Sequence, residues 1–247
     1  MVLAIAAASA ARAANTIYLA VGPQWGSGPP NSNPYQYGDG GEFTALAPSL
    51  GVPAGYAADA TLTLSGQTGF ETFCVEDQVD FYVAGTYYFT EGLAIQQAGA
   101  IDELTVGVAW LYQQFATGEL SEYDYSNAPA SANDFTTRAV DAGQLQSAIW
   151  YLQNEPADGN VNFGQPDYYA QLAMTHFGGT LADAQVAVTS AAQFGVQVLE
   201  LTSGPNGTGS VAQDQLVYTG VPDGAMTVSL FGMALLALAA VRRRFAS

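Results

Sequence analysis

The chain has 247 residues, of which 49% are hydrophobic and 11% charged, enough apolar material for a sizeable core and too little charge for a disordered tail. With Lys+Arg 5 against Asp+Glu 22, the formal charge of −17 argues against nucleic acid and anionic lipid surfaces as partners, since both require basic patches. Lysine is absent, and the cations are Arg12, Arg138, Arg242, Arg243 and Arg244, four of which lie in the terminal segments.

Residues 1–10 form a short apolar run followed by Ala11-Arg12-Ala13-Ala14, the pattern of an h-region and an A-x-A cleavage site, so residues 1–14 read as a secretory signal peptide. No charged n-region precedes the run, which makes the signal atypical or places the true start upstream. Residues 16–21 (T-I-Y-L-A-V) read as the first mature strand. Residues 22–41 are a loop rich in Gly, Pro and Asn, with Trp25, Tyr35 and Tyr37 interleaved. Aromatics so placed either pin a long loop onto its domain or stack on a sugar. Residues 61–65, 70–76 and 81–89 are alternating or β-branched and aromatic runs between turn residues, so the first third is mainly β.

The middle of the chain changes period. Ile101, Leu104, Val108, Leu111 and Phe115 recur at helical spacing over residues 101–117, and a polar loop follows at 118–133. Residues 144–155 (Q-L-Q-S-A-I-W-Y-L-Q-N-E) carry Leu145, Ala148, Ile149 and Leu152 as one apolar stripe, with Gln146 one residue from it. An amide buried there must find partners. Residues 168–177 and 181–194 extend this helical lobe, the second opening with Gly178-Gly179-Thr180 and an Asp183 in its first turn. Residues 195–202 and 215–219 return to a strand pattern across the turn-rich 203–210. Strands, helices and strands in that order predict an α+β domain over residues 15–220, a β-sandwich or barrel with an inserted helical lobe.

Residues 225–241 are a second apolar run at the short end of what spans a bilayer, closed by Arg242-Arg243-Arg244, so a C-terminal single transmembrane helix is expected with the arginines cytoplasmic. Val221-Pro222-Asp223-Gly224 stands just before it. In box, apolar run, basic cluster and chain end, residues 221–247 resemble the PEP-CTERM sorting signal, with Asp-Gly where Glu-Pro is usual. The resemblance implies export to the periplasm and transient residence in the inner membrane. It further implies processing by an exosortase near the box, and release to the surface or extracellular matrix of a Gram-negative bacterium.

The single cysteine, Cys74, cannot form an internal disulfide; it is a small buried hydrophobe, a site for pairing with another molecule, or a reactive group. Phe73-Cys74 and Leu145-Gln146-Ser147-Ala148-Ile149-Trp150 resemble the two signatures of bacterial surface thioester domains, an aromatic or leucine before the cysteine and a T-Q-x-A-hydrophobic-W motif, with Leu145 in place of the usual threonine. The resemblance implies an intramolecular thioester between the Cys74 sulfur and the Gln146 side chain. A thiolate held against a carboxamide carbon can expel ammonia, and the stored acyl group then passes to an amine. Phe73, Ile149 and Trp150 are the expected pocket that excludes water. A chain without lysine carries no side-chain amine to consume such an electrophile; an acidic matrix protein is also simply lysine-poor.

Other residues give weaker patterns. His176, the only histidine, sits in a helical run beside Phe177 and reads as a surface or core residue rather than a catalytic base, and a zinc site finds no second histidine. Glu76, Asp77 and Asp80 offer oxygen ligands without calcium-loop spacing and read as a solvated acidic edge. The expectation is therefore a non-enzymatic exported surface protein without cofactor or metal, whose thioester attaches it to an amine-bearing surface or matrix component. The alternative is a non-covalent structural or carbohydrate-binding matrix protein with a buried, unreactive Cys74.

Overall fold

The structure, a computed structural model, describes residues 15–20, 35–37, 40–79, 85–97, 100–126, 138–155 and 166–220. Seven strands build the main sheet: β1 (Thr16–Ala20), β4 (Phe43–Leu46), β5 (Thr61–Leu64), β6 (Gln67–Thr72), β7 (Thr86–Gly92), β10 (Val196–Thr202) and β11 (Val211–Tyr218). Their order is β11-β10-β7-β1-β4-β6-β5 and every pairing is antiparallel. Two small hairpins, β2 (Gln36–Tyr37) with β3 (Gly40–Gly41) and β8 (Ala94–Gln97) with β9 (Ala100–Glu103), stand apart from it. The helices are α1 (Val106–Ala116), α2 (Arg138–Gln153), α3 (Tyr168–His176) and the single turn α4 (Leu181–Ala184).

The sheet curls until its ends meet. Leu216 N–H donates to Phe73 O at 3.1 Å and Val75 N–H to Asp214 O at 3.0 Å, so residues 73–75, just past β6, pair with β11. Cys74 faces Gln215 across this seam. Strand alternation then sorts the side chains into two cores. Ile17, Leu19, Ala45, Phe70, Phe89, Leu199, Leu201 and Val217 fill the inside of the curl. Phe73, Val75, Val196, Val198, Leu216 and Tyr218 face outward into a second core with the helices. The expected helical lobe therefore packs on the outer face of the seam, and the fold is mostly β-sheet with a few helices.

Side chains stitch the seam to the lobe. The Tyr112 hydroxyl of α1 lies 2.8 Å from Glu71 O and 3.1 Å from Leu216 O, and Thr72 Oγ1 donates to Leu216 O at 2.6 Å. Phe73 meets Phe115 edge-to-face at 5.0 Å between centroids. Thr105 caps α1 by accepting from Val108 N–H, and Asp167 caps α3 by accepting from Ala170 N–H at 2.9 Å. Between β5 and β6, Ser65 at φ 50° and Gly66 at φ 81° form a two-residue hairpin turn of the kind that matches strand twist.

Several elements differ from the sequence reading. The run 101–117 divides into β9 and α1, because the Thr105 cap starts the helix five residues late, at Val106. The run 181–194 supplies only α4 before Val186 and Val188 turn extended, with Val106 N–H donating to Val186 O and Val188 N–H to Leu104 O, both at 2.8 Å. β-branched side chains favour that change. β4 and the hairpins β2–β3 and β8–β9 were not anticipated, and β11 begins at Val211 rather than 215. Among the described residues no helix is long and apolar enough to cross a membrane. Residues 1–14, Trp25, Asp80, the expected transmembrane run 225–241 and the sorting residues Val221, Pro222, Asp223, Gly224, Arg242, Arg243 and Arg244 lie outside the described residues.

Candidate functional site

Cys74 occupies the seam, with relative exposure of 1%, between Phe73 and Val75 at 0%. Those two neighbours point into the lobe core, so alternation directs the Cys74 side chain to the other face, shared with Gln215. The flanking hydrogen bonds belong to Phe73 O and Val75 N–H, which leaves the Cys74 N–H and C=O facing away from β11. Both need partners.

Gln146 supplies them. Its Oε1 accepts from Cys74 N–H at 3.0 Å and its Nε2 donates to Cys74 O at 2.7 Å, so one side-chain amide stands in for a neighbouring strand. Helix α2 brings it there by packing Leu145, Ala148, Ile149 and Leu152 into the lobe core, which turns the adjacent position toward the seam. Gln146 is fully buried. The structure thus brings Cys74 and Gln146 together across 72 residues of chain.

The predicted pocket residues divide around this contact. Phe73 and Ile149 lie in the lobe core, on the far face of the seam from the thiol. Trp150, one turn beyond Gln146 on α2, shares its face, and strand β3 lies over both. A Cβ built on Gly40 overlaps Gln146 Cγ and stands 3.2 Å from Trp150 Cη2, so only glycine lets the backbone approach this closely.

The hairpin β2–β3 is anchored by a buried ion pair that the sequence reading did not foresee. Arg138 Nε donates to Glu42 Oε1 and Nη2 to Glu42 Oε2, both at 2.7 Å, with both side chains at 0% exposure. The guanidinium also stacks over the Tyr35 ring at 4.2 Å, and Tyr123 OH donates to Glu42 Oε1 at 2.5 Å. Beside this pair, burial and then the Glu42 charge push Glu71 well above the usual carboxylate range. The legible signal was Arg138 itself, the one cation between residues 13 and 241, on a chain with 22 acidic residues.

On the inner face of the seam, Gln215 Nε2 donates to Cys74 Sγ at 3.1 Å. Burial raises the thiol's pKa far above its ordinary value; the Gln215 hydrogen bond opposes the rise and the charges of Glu76 and Asp214 add to it. Glu76 is not the solvated edge expected from sequence: it is fully buried, its Oε2 accepts from Asp214 N–H at 2.8 Å, and Gln213 Nε2 donates to its carbonyl. Burial, then Asp214, raise its carboxyl to about 9, so it holds a proton at neutral pH. Asp214 in turn accepts from Leu201 N–H at 2.8 Å, where the β10–β11 register shifts. Gln213, Asp214 and Gln215 form a polar run in a strand, which from sequence suggests an exposed edge; all three are buried.

The remaining candidates do not join this site. His176 stacks on Trp110 at 4.2 Å and 12°, on an exposed part of α3. Among the described residues no group of three His, Cys, Asp or Glu side chains is placed to hold a metal ion. Tyr35 lies buried under the Arg138 guanidinium, beside hairpin β2–β3.

Comparison with known proteins gives one match. Residues 220–245 match the VPDSG-CTERM motif. The C-terminus is a sorting signal akin to PEP-CTERM. The Val221-Pro222-Asp223-Gly224 box carries that signature without its serine, which accounts for the Asp-Gly that departs from the commoner form. Such a motif is consistent with an exported, surface-associated protein. No curated protein and no solved structure matches the chain.

Proposed function

We propose that the chain is an exported surface or matrix protein in which Cys74 and Gln146 close an intramolecular thioester that attaches it covalently to an amine-bearing partner. The observation that supports this reading is the meeting of the one cysteine with the Gln146 carboxamide in a water-excluded seam. In the closing step a bond forms between Sγ and Cδ, the Cδ–Nε2 bond breaks, and the thiol proton leaves with the nitrogen as ammonia. In the second step the partner's amine nitrogen bonds to Cδ, the C–S bond breaks, and the amine's proton returns to sulfur. The protein reacts once and does not turn over. Sorting precedes this chemistry: an exosortase is the partner near the Val221-Pro222-Asp223-Gly224 box.

A second reading draws on the direction of the hydrogen bonds. Gln146 binds the backbone of Cys74 while Gln215 holds its sulfur, an arrangement that also suits a structural clamp on the seam of a non-covalent matrix protein. Intact mass separates the two. The thioester reading expects purified protein lighter than its sequence by one ammonia, one methylamine adduct at Gln146 with one thiol released, and loss of both effects in Cys74→Ala and Gln146→Ala. Full sequence mass and no adduct in folded protein leave the structural clamp.

A further inference from the structure

Gln215 is a buried polar group whose contact with the Cys74 sulfur leaves half of its amide unused. It is fully buried, sits directly opposite Cys74, and places Nε2 3.1 Å from Sγ and 3.3 Å from Gln213 O. Its Oε1, equally buried, has no hydrogen-bond partner. An unsatisfied buried acceptor costs about 1–3 kcal/mol, which an apolar side chain of the same length avoids. Packing alone therefore favours methionine at this position, and the amide calls for another reason.

We propose that Gln215 acts directly on the reacting atoms in the single transfer from the thioester, its Nε2 donating to the Cys74 sulfur as charge develops there and its Oε1 accepting an N–H of the incoming primary amine. The proposal rests on the thioester reading. When the amine attacks Cδ of Gln146, the electron pair of the breaking C–S bond passes to sulfur, and the N–H···S bond from Gln215 is already in place to receive that charge. The Oε1 lone pair beside it orients the nucleophile, and the proton the amine sheds ends on sulfur as the thiol. Gln215 itself gains and loses no atoms.

The test compares wild type with Gln215→Met, of similar volume, and with Gln215→Leu, each checked for folding by near-ultraviolet circular dichroism. Gln215→Met is expected to be at least as stable as wild type, yet to take up methylamine about tenfold to a hundredfold more slowly, the range for loss of a hydrogen bond to a charged group. In a Gln146→Ala background, where Cys74 is a free thiol, adding Gln215→Met slows iodoacetamide alkylation at a fixed pH, because the developing thiolate loses its N–H donor. Equal aminolysis and alkylation rates overturn the role of Gln215 and leave the thioester reading standing. Peptide mapping that finds the adduct on Gln215 overturns the role by making it the acyl carrier. A folded wild-type protein of full sequence mass overturns both.

Discussion

Glu76 is the residue whose environment departs furthest from its sequence context, and it makes the seam sensitive to pH. Its carboxyl titrates near 4.5 in an unfolded chain and at about 9 in the fold. Between those values the folded state keeps a proton that the unfolded state has released, so each pH unit removes about 1.4 kcal/mol of stability for this group. The contribution is complete below about 4.5 and gone above about 9. Asp167, raised to about 6, and Glu71, raised well above the usual carboxylate range by burial, act in the same direction. Urea midpoints are therefore expected to fall steadily from pH 5 to pH 9. Glu76→Gln, which keeps an acceptor for Asp214 N–H and cannot ionise, should flatten that slope.

At the scale of elements, the contact between hairpin β2–β3 and helix α2 decides what reaches Gln146. The anchor is strong in one sense only: removing either Glu42 or Arg138 strands a buried charge, at a cost of about 3–5 kcal/mol, although the intact pair contributes far less. Gly40 offers a gentler probe. Gly40→Ala forces the hairpin off Gln146 and Trp150, and is expected to cost about 1–3 kcal/mol in urea unfolding while raising acrylamide quenching of Trp150 fluorescence. Unchanged quenching and stability would mean that the hairpin does not cover the site in solution.

The elements also differed in how legible they were. The helix carrying Gln146 and the strands β1, β5 and β10 are readable because each repeats its own period over enough residues. Strand β4 is four residues long and β3 is two glycines, too short for a period to register. The proximity of Cys74 and Gln146 was readable only through motif resemblance, since no local pattern links positions so far apart. Glu76 was misread, and Gln215 was not singled out, for a physical reason: polar residues in a strand imply solvent unless a second strand, distant in sequence, supplies their partners.

For the whole molecule, the sorting motif sets the expectation that two pieces are lost during export. The mature chain should begin near residue 14 or 15 and end near the Val221 box, without Arg242, Arg243 and Arg244. N-terminal and C-terminal peptides from surface-recovered protein check this, and recovery of the arginine cluster there would contradict removal of the anchor. The described residues end at Gly220, one residue before the box, so processing there would leave every described strand intact.

The seam that joins residues 73–75 to β11 has a consequence for the order of events along the folding pathway. Its two sides are 141 residues apart, and β11 is the last strand to leave any vectorial export machinery. Contacts of such sequence separation carry a large loop-closure entropy and form late. Until β11 arrives, Cys74 lacks both its cross-strand neighbour and the enclosure that raises its pKa, and it behaves as an ordinary solvent-exposed thiol. The enclosure of Cys74 is therefore completed late in folding, and the chemistry proposed for Cys74 and Gln146 would await the arrival of β11.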